Sequence, residues 1–194
     1  MDNQKFIGRC VEELIQNNIS VFIHAKKRVK DCGGWFDIDK KEFIVAYKND
    51  MAFEIFIHEY CHFLQWKEDP EIYECWVEGP TILFDWVEGT DYPEEELDEA
   101  LLNTIRLEWD CERRSLDLIK SFGLDVDCKR YAQGSNGYLL FYQYLRLTRK
   151  WSTKKSPYHR SIRKKFSNKL EGLEFYQDTS NLTDNIKELF DKIS

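Results

Sequence analysis

No apolar run in this chain is long enough to cross a membrane, and its opening residues carry charge at Asp2 and Lys5 where a signal peptide would need an apolar core. The six cysteines (Cys10, Cys32, Cys61, Cys75, Cys111 and Cys128) contain no C-x-x-C pair. Without a secretory context they read as reduced, mostly buried thiols and not as a disulfide framework. A cytoplasmic protein is expected. Histidine is scarce, with only four in 194 residues. Aromatic side chains are not scarce: they make up 15% of a chain that is 42% hydrophobic, which excludes disorder and suffices for one good core.

Charge of one sign is missing from two long stretches. Residues 68–105 hold 13 Asp/Glu and no Lys or Arg, whereas 129–170 hold 12 Lys/Arg and no Asp or Glu. The two stretches are expected to complement each other within one globule, because opposite fields of similar size neutralise on folding. A second reading makes the basic stretch a surface for nucleic acid or an acidic partner, interleaved with Tyr138, Phe141, Tyr142, Tyr144 and Trp151.

Apolar residues at Phe6, Ile7, Val11, Leu14 and Ile15 predict a helix over 4–17, and Ile19 to Ile23 a short strand. Gly33 to Ile38 and Glu42 to Tyr47 flank the polar Asp39-Lys40-Lys41, a hairpin pattern. A helix apolar nearly all round, capped by Asn49 or Asp50, runs from about Met51 to Trp66 and ends before Pro70. In the Trp-rich acidic stretch that follows, Gly79-Pro80 and Gly89 read as breakers in a rim or lid. Long helices are expected from Pro93 to Phe122 and from Asn136 to about Lys150, with a short last helix around Ile186, Leu189 and Phe190.

Two of the four histidines fall within five residues, His58-Glu59-Tyr60-Cys61-His62. On a helix, positions four apart lie on one face about 5–6 Å apart at Cβ, so both imidazoles reach one ion at about 2.0–2.1 Å. Glu59 projects beside that ion, where it serves as a general base. A catalytic zinc site takes a third protein ligand. His24 lies at a strand end and His159 in a basic tail, so a carboxylate from a later helix is the better donor. Glu108 and Glu112 are four apart, and the small Cys111 and Ser115 on or beside their face permit close helix approach. Either carboxylate can be the ligand, with the other outside it. Cys61 and Cys111 are expected to serve packing.

H-E-x-x-H followed by Glu on a second helix resembles the gluzincin pattern. Glu108, Cys111, Glu112 and Ser115 are similar to the second-helix signature of ImmA/IrrE-like peptidases, intracellular zinc enzymes that cleave repressors or regulators. The strands Gly33-Gly34-Trp35-Phe36 and Phe43-Ile44-Val45 also fit the small sheet such enzymes place before the active-site helix. The chain further resembles uncharacterised phage proteins carrying H-E-Y-C-H, which would put it in a host cytoplasm. It departs from the family where Cys111 and Ser115 replace Ala, where Arg114 replaces an aromatic residue, and in having no helix-turn-helix.

The resemblance implies an α+β fold: a mainly helical, zincin-like single domain with a small N-terminal antiparallel sheet before the active-site helix. A catalytic core of about 19–123 would precede a basic, aromatic-rich helical part of about 124–194. His58, His62 and Glu108 would hold zinc, Glu59 would be the general base, and Glu112 would accept the free N–H of a ligand imidazole. Tyr131, Tyr138 and His159 are candidates to stabilise an oxyanion. The expected partner is a protein or peptide substrate, and strand Gly33 to Ile38 offers an edge for an extended peptide. The alternative is a non-catalytic binding protein that sequesters a regulator or nucleic acid through the basic stretch.

Overall fold

The computed structural model describes residues 2–29, 32–152 and 154–194. The chain divides into two compact units, Met1–Pro70 with Arg114–Val126, and Glu71–Arg113 with Asp127–Ser194. It is mainly helical, with one small sheet.

In the first unit, Asp2 accepts a hydrogen bond from the backbone N–H of Gln4 and so caps α1 (Asn3–Gln16). Phe6, Cys10 and Leu14, four apart, form its buried stripe. Three strands follow: β1 (Ser20–His24), β2 (Gly34–Asp37) and β3 (Glu42–Ala46). Their spatial order is β1-β3-β2. The hairpin pairs Gly34 with Val45 through Asp37 with Glu42, antiparallel, as its polar turn predicts. The sheet is nevertheless mixed and not antiparallel, because β1 pairs with β3 in parallel, Ser20 with Glu42 through His24 with Ala46. Two successive reversals make the third strand run with the first, and β3 lies beside β1 because β2 takes the far edge. The central strand therefore buries Phe43, Ile44, Val45 and Ala46.

α2 (Ala52–Glu68) packs on β2 and β3, with Phe43 edge-on to Phe56 at 5.2 Å and Phe36 edge-on to Phe63 at 5.9 Å. Its N-cap position is Met51, not Asn49 or Asp50. Asn49 acts one step earlier, accepting from the Met51 N–H at 2.9 Å, so it shapes the turn that launches the helix. At the other end Lys67 donates to Glu13 of α1 at 2.7 Å, and Tyr60 donates to the same carboxylate. Burial pushes the Glu13 carboxyl up, but the bonds from Lys67 and Tyr60 outweigh it and leave it below the ordinary range. A depressed carboxylate stabilises the fold above its unfolded value and loses that share as pH falls through the folded one. Glu13→Gln is therefore expected to lower stability at neutral pH by about 0.5–1 kcal/mol, a figure reduced for solvent screening. Urea unfolding at neutral and acid pH checks it, since the difference should vanish in acid.

The second unit begins with α3 (Pro70–Glu88), one continuous helix through Gly79-Pro80, so that pair is not a breaker. Pro70 opens it at a position whose N–H a helix does not use. Gly79 is there for packing: a Cβ on it would stand 2.5 Å from the carbonyl oxygen of Ala100 and 2.8 Å from the amide nitrogen of Thr104, both on α4 (Glu94–Phe122). Gly123, at φ 58°, ends α4. α5 spans Cys128–Thr148, capped by Asp127, and so starts eight residues before the expected Asn136. Gly134 obscures that first part in sequence, yet it makes room for the ring of Tyr158, as Gly137 does for Phe166. Short helices α6 (Arg160–Arg163), α7 (Leu173–Gln177) and α8 (Asp184–Asp191) complete the unit.

Leu97, Ile105, Leu139, Phe141, Tyr144, Tyr176 and Phe190 build the core of this unit. Part of the expected charge complementarity is realised inside it, at the end of α5. Arg146 pairs with Asp98 at 2.9 Å and with Glu94, and Arg149 pairs with Asp91 at 3.3 Å while donating to the Trp86 carbonyl at 2.6 Å.

Candidate metal centre

α2 carries the two histidines on one face, with Nε2 of His58 and Nε2 of His62 3.1 Å apart and their rings at 89°. Gln65, one turn further on, places its Oε1 2.8 Å from His62 Nδ1. That oxygen holds no proton, so Nδ1 is the donor and the Nε2 lone pair of the neutral ring faces His58. A hydrogen bond from His58 Nε2–H to that lone pair, or a cation between the two nitrogens, accounts for this distance. Ligand nitrogens about 2.0–2.1 Å from a tetrahedral ion lie about 3.3 Å from each other, close to the observed spacing. The spacing of the two donors is thus one that a metal ion could bridge.

Glu59 is buried and lies on a different bearing from the histidines. Its Cγ is near the backbone of Gly34 on β2, where a Cβ would come within 3.3 Å of it and within 2.6 Å of the Ile44 carbonyl oxygen. Glycine at 34 thus lets the sheet approach α2 beside the carboxylate. Cys61 is fully buried and accepts a hydrogen bond from Ser115 at 3.3 Å, so its observed role is packing. Arg114, the departure from an aromatic, pairs with Glu68 at 2.7 Å. β2 occupies a sheet edge, as peptide addition would need.

Glu108 and Glu112 lie on α4 within the second unit, both buried. Tyr158 donates to Glu112 at 3.0 Å and Tyr142 to Glu108 at 3.5 Å, while the Tyr138 and Tyr142 hydroxyls are hydrogen-bonded at 2.9 Å. Burial first, and then the adjacent carboxylates, push both Tyr142 and Tyr158 far above the ordinary tyrosine range. They remain protonated donors at any physiological pH. Cys111 is fully buried on the same helix.

Of the oxyanion candidates, Tyr138 stacks on Tyr158 at 4.9 Å and belongs to this tyrosine–carboxylate cluster. Tyr131 is buried near the start of α5, and its carbonyl accepts from Ser135. His159 is exposed and caps α6, accepting from the Ser161 N–H at 3.3 Å. His24 stacks on Phe22 at the end of β1. Three residues escaped the sequence reading: Gln65, legible as an amide three residues after a histidine on its own helix; Tyr158, which carried no local signal; and Cys111, expected to serve packing, whose Sγ and the ring nitrogens of His58 and His62 all lie within 4.8 Å of one another and could hold a metal ion. No family model matches this chain, and neither curated proteins nor solved structures show a match.

Proposed function

We propose that this protein is a zinc-dependent metallopeptidase acting on a specific protein in the cytoplasm, with His58, His62 and Glu108 as ligands and Glu59 as general base. The observation that carries the reading is the 3.1 Å convergence of the two Nε2 atoms, with Gln65 holding the other nitrogen of His62. When bound, zinc supplies an activated water and polarises a carbonyl. Glu59 would take a proton from the attacking water and hand it to the leaving amine.

The third ligand is assigned to α4. Ser115, on that helix, is hydrogen-bonded to Cys61 of α2 within the first unit, and Glu112, Cys111 and Glu108 precede it by three, four and seven residues on the shared face. Glu108 is the proposed donor, with Glu112 fixed by Tyr158 outside it, and Cys111 is the competing ligand because thiolates also bind zinc. No helix among the described residues is long and apolar enough to cross a membrane.

Elemental analysis tests the assignment. Purified protein is expected to hold about one zinc per chain, lost in His58→Ala and Glu108→Ala and kept in Glu112→Ala and Cys111→Ser. Loss in Cys111→Ser with retention in Glu108→Ala transfers the role to the thiolate. Wild type that takes up no zinc defeats the reading.

A further inference from the structure

Residues 154–169 form a basic strap across the first half of α5. Its backbone is fixed at several points. The Tyr158 ring fills the space left by Gly134, where a Cβ would be 2.7 Å from it, and Phe166 fills that left by Gly137 at 2.9 Å. The side-chain amide of Asn136 donates to the carbonyls of Ser167 and Lys169, each at 2.8 Å. Tyr158 in turn reaches Glu112. The strap is held by glycine-lined grooves and buried hydrogen bonds, so its geometry is set before any partner arrives.

What the strap exposes is cationic. Lys155, Arg160, Lys164, Lys165 and Lys169 are all exposed, and none forms an ion pair with a described residue. The arginines of the preceding helix are different: Arg146 and Arg149 are neutralised by the acidic stretch. Five exposed like charges, with no carboxylate in the sequence between 129 and 170, create a positive local field that favours an anionic partner.

We propose that this strap docks an acidic polypeptide segment, and that the segment belongs to the protein substrate; the second half of this statement rests on the metallopeptidase reading. With −7 on the whole chain and +12 on residues 129–170, the remainder carries −19. A nucleic acid presents about one charge per 1.7 Å along its whole length, and would run past the strap into that excess of negative charge. A short run of Asp and Glu ends where the strap ends. The strap also bonds to the buried carboxylate of Glu112 through Tyr158, which ties it to the helix that carries Glu108.

Fluorescence anisotropy with a labelled oligoglutamate peptide, and in parallel a single-stranded oligonucleotide of equal charge, tests the proposal on the full chain. The expected result is salt-sensitive binding of oligoglutamate, weakened about tenfold or more in K164E/K165E and less in the milder K164Q/K165Q, with the far-UV spectrum unchanged. His58→Ala should bind the peptide as wild type does, so failure of the metal assignment leaves this result standing. Absence of oligoglutamate binding to wild type at low salt overturns the proposal. Tighter binding of the oligonucleotide, lost in the same variants, overturns it in favour of a nucleic-acid surface.

Discussion

Glu59→Gln is expected to eliminate peptide hydrolysis while leaving zinc in place. A positioned general base contributes about 10²–10⁴ in rate, and the amide of glutamine takes up no proton at neutral pH. The loss corresponds to about 3–5 kcal/mol of transition-state stabilisation at 1.4 kcal/mol per tenfold. The substitution keeps the volume of a buried side chain whose Cγ lies close to the Gly34 backbone, so α2 and β2 should keep their contact. Because the histidines occupy another face of α2, zinc content should stay at the wild-type level. Mass-spectrometric analysis of a peptide library digested by each protein, beside elemental analysis of the same samples, measures both quantities. Hydrolysis at the wild-type rate removes Glu59 from the chemistry. Loss of zinc along with activity makes it a ligand, and the division of labour within the motif is then wrong.

Local patterns announced the elements that carry the site and hid those that support it. The helix of H-E-x-x-H and the long helix ending at Gly123 follow from apolar periodicity and a terminal glycine, signals that lie within the elements themselves. α3 was concealed because Gly79-Pro80 is a breaker on any local scale, and only the backbone of Ala100 and Thr104 explains the glycine. Gly134 concealed the first part of α5 in the same way, since the Tyr158 ring it admits arrives from more than twenty residues downstream. The parallel pairing of β1 with β3 depends on which edge the hairpin takes, and no residue in either strand encodes that choice. Within the site, the histidine pair and Glu59 were legible from spacing, whereas Tyr158 reaches Glu112 only through the path of the strap. The partner of His62 Nδ1 is Gln65, one turn away on the same helix.

The helix glycines also give opposite expected responses to one substitution. Alanine in place of glycine in a helix interior gains about 0.8–1 kcal/mol from backbone entropy. At Gly8, on the exposed side of α1, nothing lies within 4 Å of the added Cβ, so Gly8→Ala should realise that gain. At Gly79 the new methyl group would stand 2.5 Å from the Ala100 carbonyl oxygen and 2.8 Å from the Thr104 amide nitrogen. These are backbone atoms of α4 and do not swing aside as a side-chain tip would. Thr104 is fully buried and tied to Ala100 by a 2.8 Å hydrogen bond, so relief requires moving α3 away from α4. Overpacking of this kind costs about 1–3 kcal/mol and occasionally more, and at this separation it outweighs the propensity gain. Gly79→Ala should therefore be destabilised by about 1–2 kcal/mol net, against a stabilisation approaching 1 kcal/mol for Gly8→Ala. Urea unfolding of both variants beside wild type reads the two signs. If Gly79→Ala is stabilised as Gly8→Ala is, helix propensity alone governs the position, and α3 and α4 do not meet at this glycine.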